Sequence, residues 1–329
     1  MGLAVVVGLT ACAAGHRGGS TSTSGQAATA PTGGLSGRAR VVRRVKIGAM
    51  PYDVVAGFGS VWIAATDGVD RFAPATGRLE GRTTIRHGGE WMNIAAGGGT
   101  IWYASAGKLV AIDPSGGQIV RVIRLGPATG REAYEFVGAS SQGVCVGQIA
   151  PTRRTGLLCV AGKEGRVTRI TAGPGPIAGA SDGSLWVGGA SLERLTLTPR
   201  TMTSIHLPSK ASVDALAASG GSVWAALNFE SRTSARSELW QLRRGHVIRR
   251  LAVPKAWVAS LAPTRSGIWL LTRRLHGHKS EIEFVRPNGG LDTASSVAVA
   301  MNSRGLAGTD SSVWTVQYRP ATATIVARR

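Results

Sequence analysis

A short pattern recurs seven times in this chain of 329 residues, and its spacing constrains the fold more than any other feature. In six copies a pair of Gly, Ser or Thr residues and an apolar residue precede a Trp, at Trp62, Trp102, Trp186, Trp224, Trp269 and Trp314. The seventh copy, Gln142-Gly-Val-Cys145, carries Cys in place of Trp. Successive centres lie 40, 43, 41, 38, 45 and 45 residues apart. A period of roughly 42 residues in β-type sequence predicts propeller blades of four strands each.

The first unit shows how one period divides into four strands. Its β-type runs are Asp53–Phe58, Val61–Ala65, Gly68–Phe72 and Arg78–Ile85. The runs are short and Val-rich or Ile-rich, and Gly, Pro, Ser or Asp turns separate them, as in β-hairpins. No segment of the chain shows sustained helical periodicity. The sequence therefore predicts an all-β, seven-bladed propeller in one domain over residues 40–329, and we expect a monomer.

The two ends of the repeat region indicate how the ring closes. The last unit stops at Arg329 without a fourth strand. At the other end, Arg40–Gly48 closely resembles Gln118–Gly126, which occupies the fourth-strand position of the second unit. We expect Arg40–Gly48 to pair beside Ala321–Arg328, because both partners would otherwise leave an unpaired strand edge.

The repeated Trp residues are expected to be structural. One Trp per blade on the second strand packs between adjacent sheets, where an indole buries a large apolar area. Trp91 and Trp257 stand outside the repeat register, in connections between blades, and are the better candidates for contact with a ligand.

The N-terminus indicates export. An apolar run ends in Leu9-Thr-Ala-Cys12, which resembles the bacterial lipobox. The resemblance implies a lipid on Cys12 and a signal peptide over residues 1–11; no Lys or Arg precedes Cys12, so we expect the natural start to lie further upstream. Residues 12–39 are rich in Gly, Ser, Thr, Ala and Pro, as in a flexible tether. These features predict an extracellular lipoprotein, attached by its lipid to the outer face of a bacterial cytoplasmic membrane.

The other two cysteines fall on neighbouring strands of the third unit. Cys145 and Cys159 lie symmetrically about a turn near Thr152. They are predicted to face each other and to form a disulfide in an oxidising compartment. The alternative is a pair of reduced, buried thiols.

The charge of the chain points to anionic partners. Lys and Arg number 38 against 18 Asp and Glu, which gives a formal net charge of +20. Such an excess favours binding to lipid headgroups or to an anionic wall polymer. The alternative is an Arg-rich composition typical of GC-rich genomes, because the charges are spread along the chain. Only residues 38–46 form a dense basic run, and we assign this run to a strand, so we expect no specific nucleic-acid binding.

No catalytic or metal-binding motif fits its required context. Gly179-Ala-Ser-Asp-Gly183 matches the GxSxG pattern, which needs a strand-to-helix turn, but here it falls between two strands. His276 and His278 have only Glu281 and Glu283 as nearby carboxylates and lie among basic residues. We expect no catalytic residue, no metal and no cofactor.

The predicted loops differ between the two faces of the propeller. Turns between first and second strands and between third and fourth strands are short, whereas the opposite face carries longer and more varied loops. Function concentrates on such loops when a rigid scaffold presents them. The candidate ligand-binding residues at the mouth of this face are Glu90, Trp91, Asn93, Arg131, Glu132, Tyr134, Asn228 and Glu230. The alternative is that these loops are solvated and bind nothing.

The recurring frame resembles that of the YVTN and virginiamycin B lyase-like bacterial propellers. Val55–Ala64 and Ile112–Gly117 show it best, and it extends over residues 40–329. The resemblance implies the fold. The lyases use a His and Glu site with magnesium, but the six scattered His residues match no such motif. We therefore expect a ligand or protein partner at the propeller face without catalysis; a lyase or hydrolase acting there and a polyanion-binding cell-wall protein are the alternatives.

Overall fold

The computed structural model describes residues 38–85, 92–105, 107–125, 133–149, 156–162, 165–173, 175–219, 221–229, 235–274, 279–286, 290–310 and 312–328. Every regular element in these ranges is a β-strand, and the strands form seven four-stranded antiparallel sheets. The prediction of a seven-bladed propeller with four strands per blade is thus confirmed. Within the described ranges there is no helix of the length and apolarity needed to span a bilayer.

The first four blades follow the predicted division of the repeat. Blade 1 contains β2 (Pro51–Gly57), β3 (Ser60–Ala65), β4 (Gly68–Phe72) and β5 (Leu79–Thr84). Blade 2 contains β6 (Asn93–Gly97), β7 (Thr100–Ser105), β8 (Lys108–Ile112) and β9 (Ile119–Arg124). Blade 3 contains β10 (Ala133–Ser140), β11 (Gly143–Ile149), β12 (Gly156–Ala161) and β13 (Val167–Ile170). Blade 4 contains β14 (Ile177–Gly179), β15 (Leu185–Val187), β16 (Leu192–Leu197) and β17 (Arg200–Ile205).

The last three blades complete the ring. Blade 5 contains β18 (Ala211–Ser219), β19 (Ser222–Phe229), β20 (Arg236–Arg243) and β21 (His246–Pro254). Blade 6 contains β22 (Trp257–Thr264), β23 (Gly267–Arg273), β24 (Lys279–Val285) and β25 (Leu291–Ala300). Blade 7 contains β26 (Ser303–Gly308), β27 (Ser312–Gln317), β28 (Thr322–Arg328) and, as its outer strand, β1 (Ala39–Lys46).

The N-terminal strand closes the ring as the sequence predicts. β1 runs antiparallel to β28, with Arg40 opposite Ala327 and Lys46 opposite Thr322. The amide of Ile47 extends this pairing by donating to the carbonyl of Ala321 over 3.0 Å. Blade 7 is therefore built from both ends of the propeller sequence, so the ring cannot open without separating β1 from β28.

The apolar core lies between neighbouring blades. Each of the seven buried clusters joins two adjacent sheets, and each contains one repeat position: a Trp in six clusters and Cys145 in the seventh. Trp62 and Trp314 have no exposed surface, and Trp102 is the partly buried member of the set. This register confirms that the repeated Trp residues are structural, because each ring fills the gap between two sheets.

Glycines on the inner strands let neighbouring blades approach closely near the axis. A Cβ at Gly179 on β14 would lie 1.7 Å from the carbonyl oxygen of Ala139 on β10. A Cβ at Gly138 would lie 2.4 Å from a methyl carbon of Ile177. The radius of the ring at this level is thus set by backbone-to-backbone contact, for which only glycine leaves room.

In the degenerate repeat, a disulfide takes the place of the Trp side chain. Cys145 on β11 stands directly opposite Cys159 on β12, with Cα atoms 4.1 Å apart and the two sulfur atoms bonded. The pair packs in the cluster between blades 3 and 4, against Leu185. It occupies the position that Trp holds in the other six units.

We predict that this bond forms when the protein is produced in an oxidising compartment. A Cys12→Ala protein purified without reductant and then denatured should label at no thiol, and at two thiols after reduction. Reduction should lower the free energy of unfolding by about 3 kcal/mol, the value expected for a loop of about 15 residues. Full labelling before reduction would instead support two buried thiols.

Candidate functional site

The inner strands of the seven blades surround a channel along the propeller axis. Each inner strand contacts the inner strands of both neighbouring blades, so the wall of the channel is continuous. At the end where the inner strands begin, the channel opens at a mouth, a cavity of about 370 Å³ that is lined by residues from all seven blades. Connections from the outer strand of one blade to the inner strand of the next arrive at this end, which is the predicted loop-rich face.

Polarity is not uniform along the channel. The described residues that line the mouth include two carboxylates and one guanidinium, Asp53, Asp214 and Arg304. The middle of the channel is lined by small and aliphatic residues such as Ala56, Gly138 and Ala217. The end at the short turns is lined by Gly, Ala and Ser. Charged side chains among the described lining residues therefore occur only at the mouth.

Asp53 at the start of β2 joins two blades. Its carboxylate accepts hydrogen bonds from the amide of Val54 over 2.8 Å and from the amide of Ile94 in blade 2 over 3.2 Å. Burial raises the pKa of Asp53 to about 6, against the opposing effect of these two hydrogen bonds and of the positive charge on Arg304. Near neutral pH, Asp53 thus presents a carboxylate whose negative charge is only partly compensated by the surrounding protein.

Asp214 at the mouth is held in place from behind. It accepts hydrogen bonds from the Ser212 hydroxyl over 2.9 Å and from the Asn228 side-chain amide over 2.7 Å. The same amide also donates to the carbonyl of Val258 over 3.1 Å, while its oxygen accepts from the Val258 amide and from the Ser237 hydroxyl. All four hydrogen-bonding positions of the buried Asn228 side chain are occupied, so it fixes Asp214 and links blade 5 to blade 6.

Arg304 supplies the positive charge at the mouth. Its guanidinium carbon lies 5.8 Å from the ring centre of Tyr52 and 5.7 Å from that of Tyr318, and the two rings contact each other edge to face at 5.5 Å. Cation–π contacts of this kind help to fix the position of a guanidinium. The field of Arg304 also extends to Arg273, whose pKa is lowered by burial and, to a smaller extent, by that charge.

The structure brings one predicted ligand residue directly to the mouth. Asn93, on the inner strand of blade 2, lines the cavity. Asn228 lies behind the cavity and is linked to it by the hydrogen bond that it donates to Asp214. Tyr134 is placed on β10, where its backbone pairs with Gln148. The predicted positions that lie outside the described residues are Cys12, Glu90, Trp91, Arg131, Glu132 and Glu230.

Sequence reasoning missed the three charged lining residues, Asp53, Asp214 and Arg304, although the repeat contains a signal for them. Asp53 stands nine residues before the repeat Trp of its blade, and Asn93 does the same in blade 2. Asp214 stands ten residues before Trp224, and Arg304 ten before Trp314. When the units are aligned on the repeat position, these four of the seven thus carry a charged or amide side chain at the start of the inner strand.

Of the two motifs that the sequence analysis set aside, the structure describes one. The GxSxG-like segment forms the turn between β14 and β15, where the Gly183 amide donates to the carbonyl of Ala180 over 3.1 Å, so it is not a nucleophile elbow. His276 and His278 lie outside the described residues. Among the residues that the structure does describe, no three His, Cys, Asp or Glu side chains are grouped to hold a metal ion.

Fold and mouth together define the class: a seven-bladed β-propeller with a charged entrance to its axial channel. No protein-family model matches the chain, and neither does any curated protein sequence. Several solved propeller structures do match the chain. The chain is similar to virginiamycin B lyase from Staphylococcus aureus, with a TM-score of 0.63 and 12% identity over 89% of this chain and all of that one.

Two other solved structures show the same likeness. The β-propeller domain of Cps50 (Swd1) from Myceliophteria thermophila gives a TM-score of 0.65 at 12% identity, over 88% of this chain and 100% of that domain. A chain of the mitotic checkpoint complex gives 0.67 at 12% identity, over 95% of this chain and 98% of that one. These likenesses support the fold, while the identity is too low for a function to be transferred.

Proposed function

We propose that this protein is an exported, lipid-anchored propeller that binds a small polar ligand, or a polar segment of a partner protein, at its mouth without catalysis. The observation that carries the proposal is that, among the described lining residues of the channel, the charged ones lie at the mouth. A channel that had only a structural role would have no need to hold charged groups at one end.

The arrangement of charges favours a ligand with groups of both signs. Asp214 on blade 5 and Asp53 on blade 1 offer carboxylates to a cation or a hydrogen-bond donor. Arg304 on blade 7 offers a guanidinium to an anion or an acceptor. Charge-assisted hydrogen bonds of this kind are about twice as strong as neutral ones. Amino acids, short peptides and amino sugars carry such pairs of groups.

A binding screen tests the site. Calorimetry with a panel of amino acids, dipeptides and amino sugars should find compounds that bind the unmodified protein, and Asp214→Asn should weaken their binding by about 10-fold, the equivalent of one charge-assisted hydrogen bond. The matched control is Asp182→Asn, which removes the same charge from a turn at the opposite end of the molecule.

The control variant should bind as the unmodified protein does. The proposal is wrong if no compound of the panel binds, or if both variants lose affinity equally. Mass spectrometry of the recovered compound tests the absence of catalysis, and a cleaved or rearranged product would instead favour an enzyme.

The anchor is tested separately. Expressed with its natural leader, the protein should partition into the detergent phase of a phase-separating detergent, because a lipidated Cys12 carries acyl chains. Cys12→Ala should move it to the aqueous phase. Equal partitioning of both forms would contradict the anchor without bearing on the mouth. Detergent partitioning is preferable to membrane sedimentation here, because a basic protein also adheres to membranes through charge.

A further inference from the structure

Basic and aliphatic side chains are combined on one side of the ring. The outer strands of four consecutive blades, β1, β5, β9 and β13, with the residues that directly precede them, are called the basic edge. Its exposed Lys and Arg residues are Arg38, Arg40, Arg43, Arg44, Lys46, Arg78, Arg124, Arg166 and Arg169. Arg82 of β5 is also exposed, but its guanidinium is paired with Asp70 at 2.6 Å and with Asp67 at 3.4 Å. The same ranges, residues 38–46, 78–84, 119–124 and 165–170, contain one carboxylate, Glu80, which pairs with Arg71 at 3.6 Å.

Side-chain contacts make the basic edge one continuous surface. Arg43 and Val45 of β1 lie against Gly77, next to β5. The Thr83 hydroxyl of β5 donates to the carbonyl of Gly117, next to β9. Arg121 of β9 lies against Gly165, next to β13. The four strands thus form neighbouring ridges rather than separate patches.

Aliphatic side chains stand exposed among these charges. Leu79, Ile119, Val120 and Val122 are 48%, 43%, 62% and 53% exposed, and they are four of the nine large hydrophobic residues exposed in the described part of the chain. All four lie on the adjoining outer strands of blades 1 and 2. Clustered exposed aliphatics on an outer strand, whose outer edge has no neighbouring strand in its sheet, indicate a surface that another molecule can cover.

The combination of basic and aliphatic side chains indicates which kind of partner binds the basic edge. A second copy of this chain would bring two strongly positive edges together. A hydrated polyanion would match the Arg residues but would leave Val120 and Val122 in water. An anionic bilayer surface satisfies both features, because headgroup phosphates attract the Arg and Lys residues and the interface accepts short aliphatic side chains.

We propose that the basic edge docks on the surface of an anionic lipid membrane through the outer strands of blades 7, 1 and 2, because the outer strand of blade 3 curves away around the ring. The inference rests on the proposed export to the outer face of the membrane. The chain enters the propeller at Arg38 on this same edge. The axis of the propeller would then run roughly parallel to the membrane, which leaves the mouth open to solvent.

The test uses the full chain carrying Cys12→Ala, so that no acyl chain contributes. We expect it to sediment with vesicles of phosphatidylcholine mixed with phosphatidylglycerol, and not with vesicles of phosphatidylcholine alone. Added to this background, Arg40→Gln/Arg44→Gln/Arg124→Gln should reduce the partition coefficient by about 100-fold, from the loss of three basic contacts. Val120→Thr/Val122→Thr should reduce it by about 10-fold.

The control is Arg200→Gln/Arg243→Gln/Arg244→Gln, which makes the same change of net charge on blades 4 and 5. It should sediment as the Cys12→Ala parent does. An equal loss in the control would assign the binding to net charge alone and overturn the docking edge. Unchanged binding of the Val variant, with full displacement by soluble polyglutamate, would replace the membrane with a hydrated polyanion. These results leave the detergent partitioning and the ligand binding untouched, so failure here is distinguishable from failure of the proposed function.

Discussion

Deletion of residues 38–46 is expected to abolish cooperative folding of the propeller. β1 contributes to two of the inter-blade cores: Ala39 and Val41 pack between blades 6 and 7, and Val42 and Val45 pack between blades 7 and 1. Loss of this apolar burial costs on the order of 5 kcal/mol, which is most of the stability of an ordinary domain. It also exposes the edge of β28.

Point variants of β1 distinguish the effect of lost core packing from the effect of removing the strand. Val45→Asp places a carboxylate against the core of blades 7 and 1 and should cost about 3 kcal/mol. Arg44→Ser, one position away and exposed, should cost less than about 0.5 kcal/mol. Urea unfolding followed by Trp fluorescence measures all three. A deleted protein that unfolds at the same urea concentration as the full chain would show that β1 does not close the ring.

Replacing Gly179 by a residue with a side chain is expected to destabilise the propeller nearly as much as the deletion of residues 38–46. The Cβ of Gly179→Ala would stand 1.7 Å from the carbonyl oxygen of Ala139, so blades 3 and 4 must move apart at the channel wall. Backbone cannot yield as a flexible side chain can, and we expect a loss of about 3 kcal/mol or more in the free energy of unfolding.

The matched control is Gly81→Ala, on the outer strand of blade 1. It also lies in a strand, and a Cβ there would meet nothing within 4 Å. The change should be neutral or stabilise the protein by up to about 1 kcal/mol, because Ala restricts the unfolded chain more than Gly does. Equal effects at the two positions in thermal or chemical unfolding would mean that close approach of the blades does not set the ring radius.

The fold could be predicted because the same sequence pattern occurs seven times, once for each blade. A Trp at a fixed place in each unit reports a packing position between sheets, and the missing final strand has its counterpart at Arg40–Gly48. The degenerate unit keeps the same register: Cys145 stands at the Trp position and lies opposite Cys159 on the neighbouring strand of the hairpin.

The site could be predicted only in part, because its charges lie on the strands rather than in the loops. Asp53 and Asp214 belong to inner strands, where a loop-based search does not look. Asn228 stands at the end of a strand next to a loop and suggested ligand contact, yet its side chain turns inward to hold Asp214 and Val258. Asp214 itself stands at a β-bulge between Val213 and Ala215, a local irregularity that the residue pattern does not encode.

The most direct test of the central claim, that the mouth binds a polar ligand, is a crystal structure of the protein with the tightest-binding compound from the screen. We predict density for the compound inside the mouth, with polar atoms within hydrogen-bond distance of the Asp214 carboxylate and of the Arg304 guanidinium. Density at the short turns, on the outer strands or in a loop away from the axis would contradict the account.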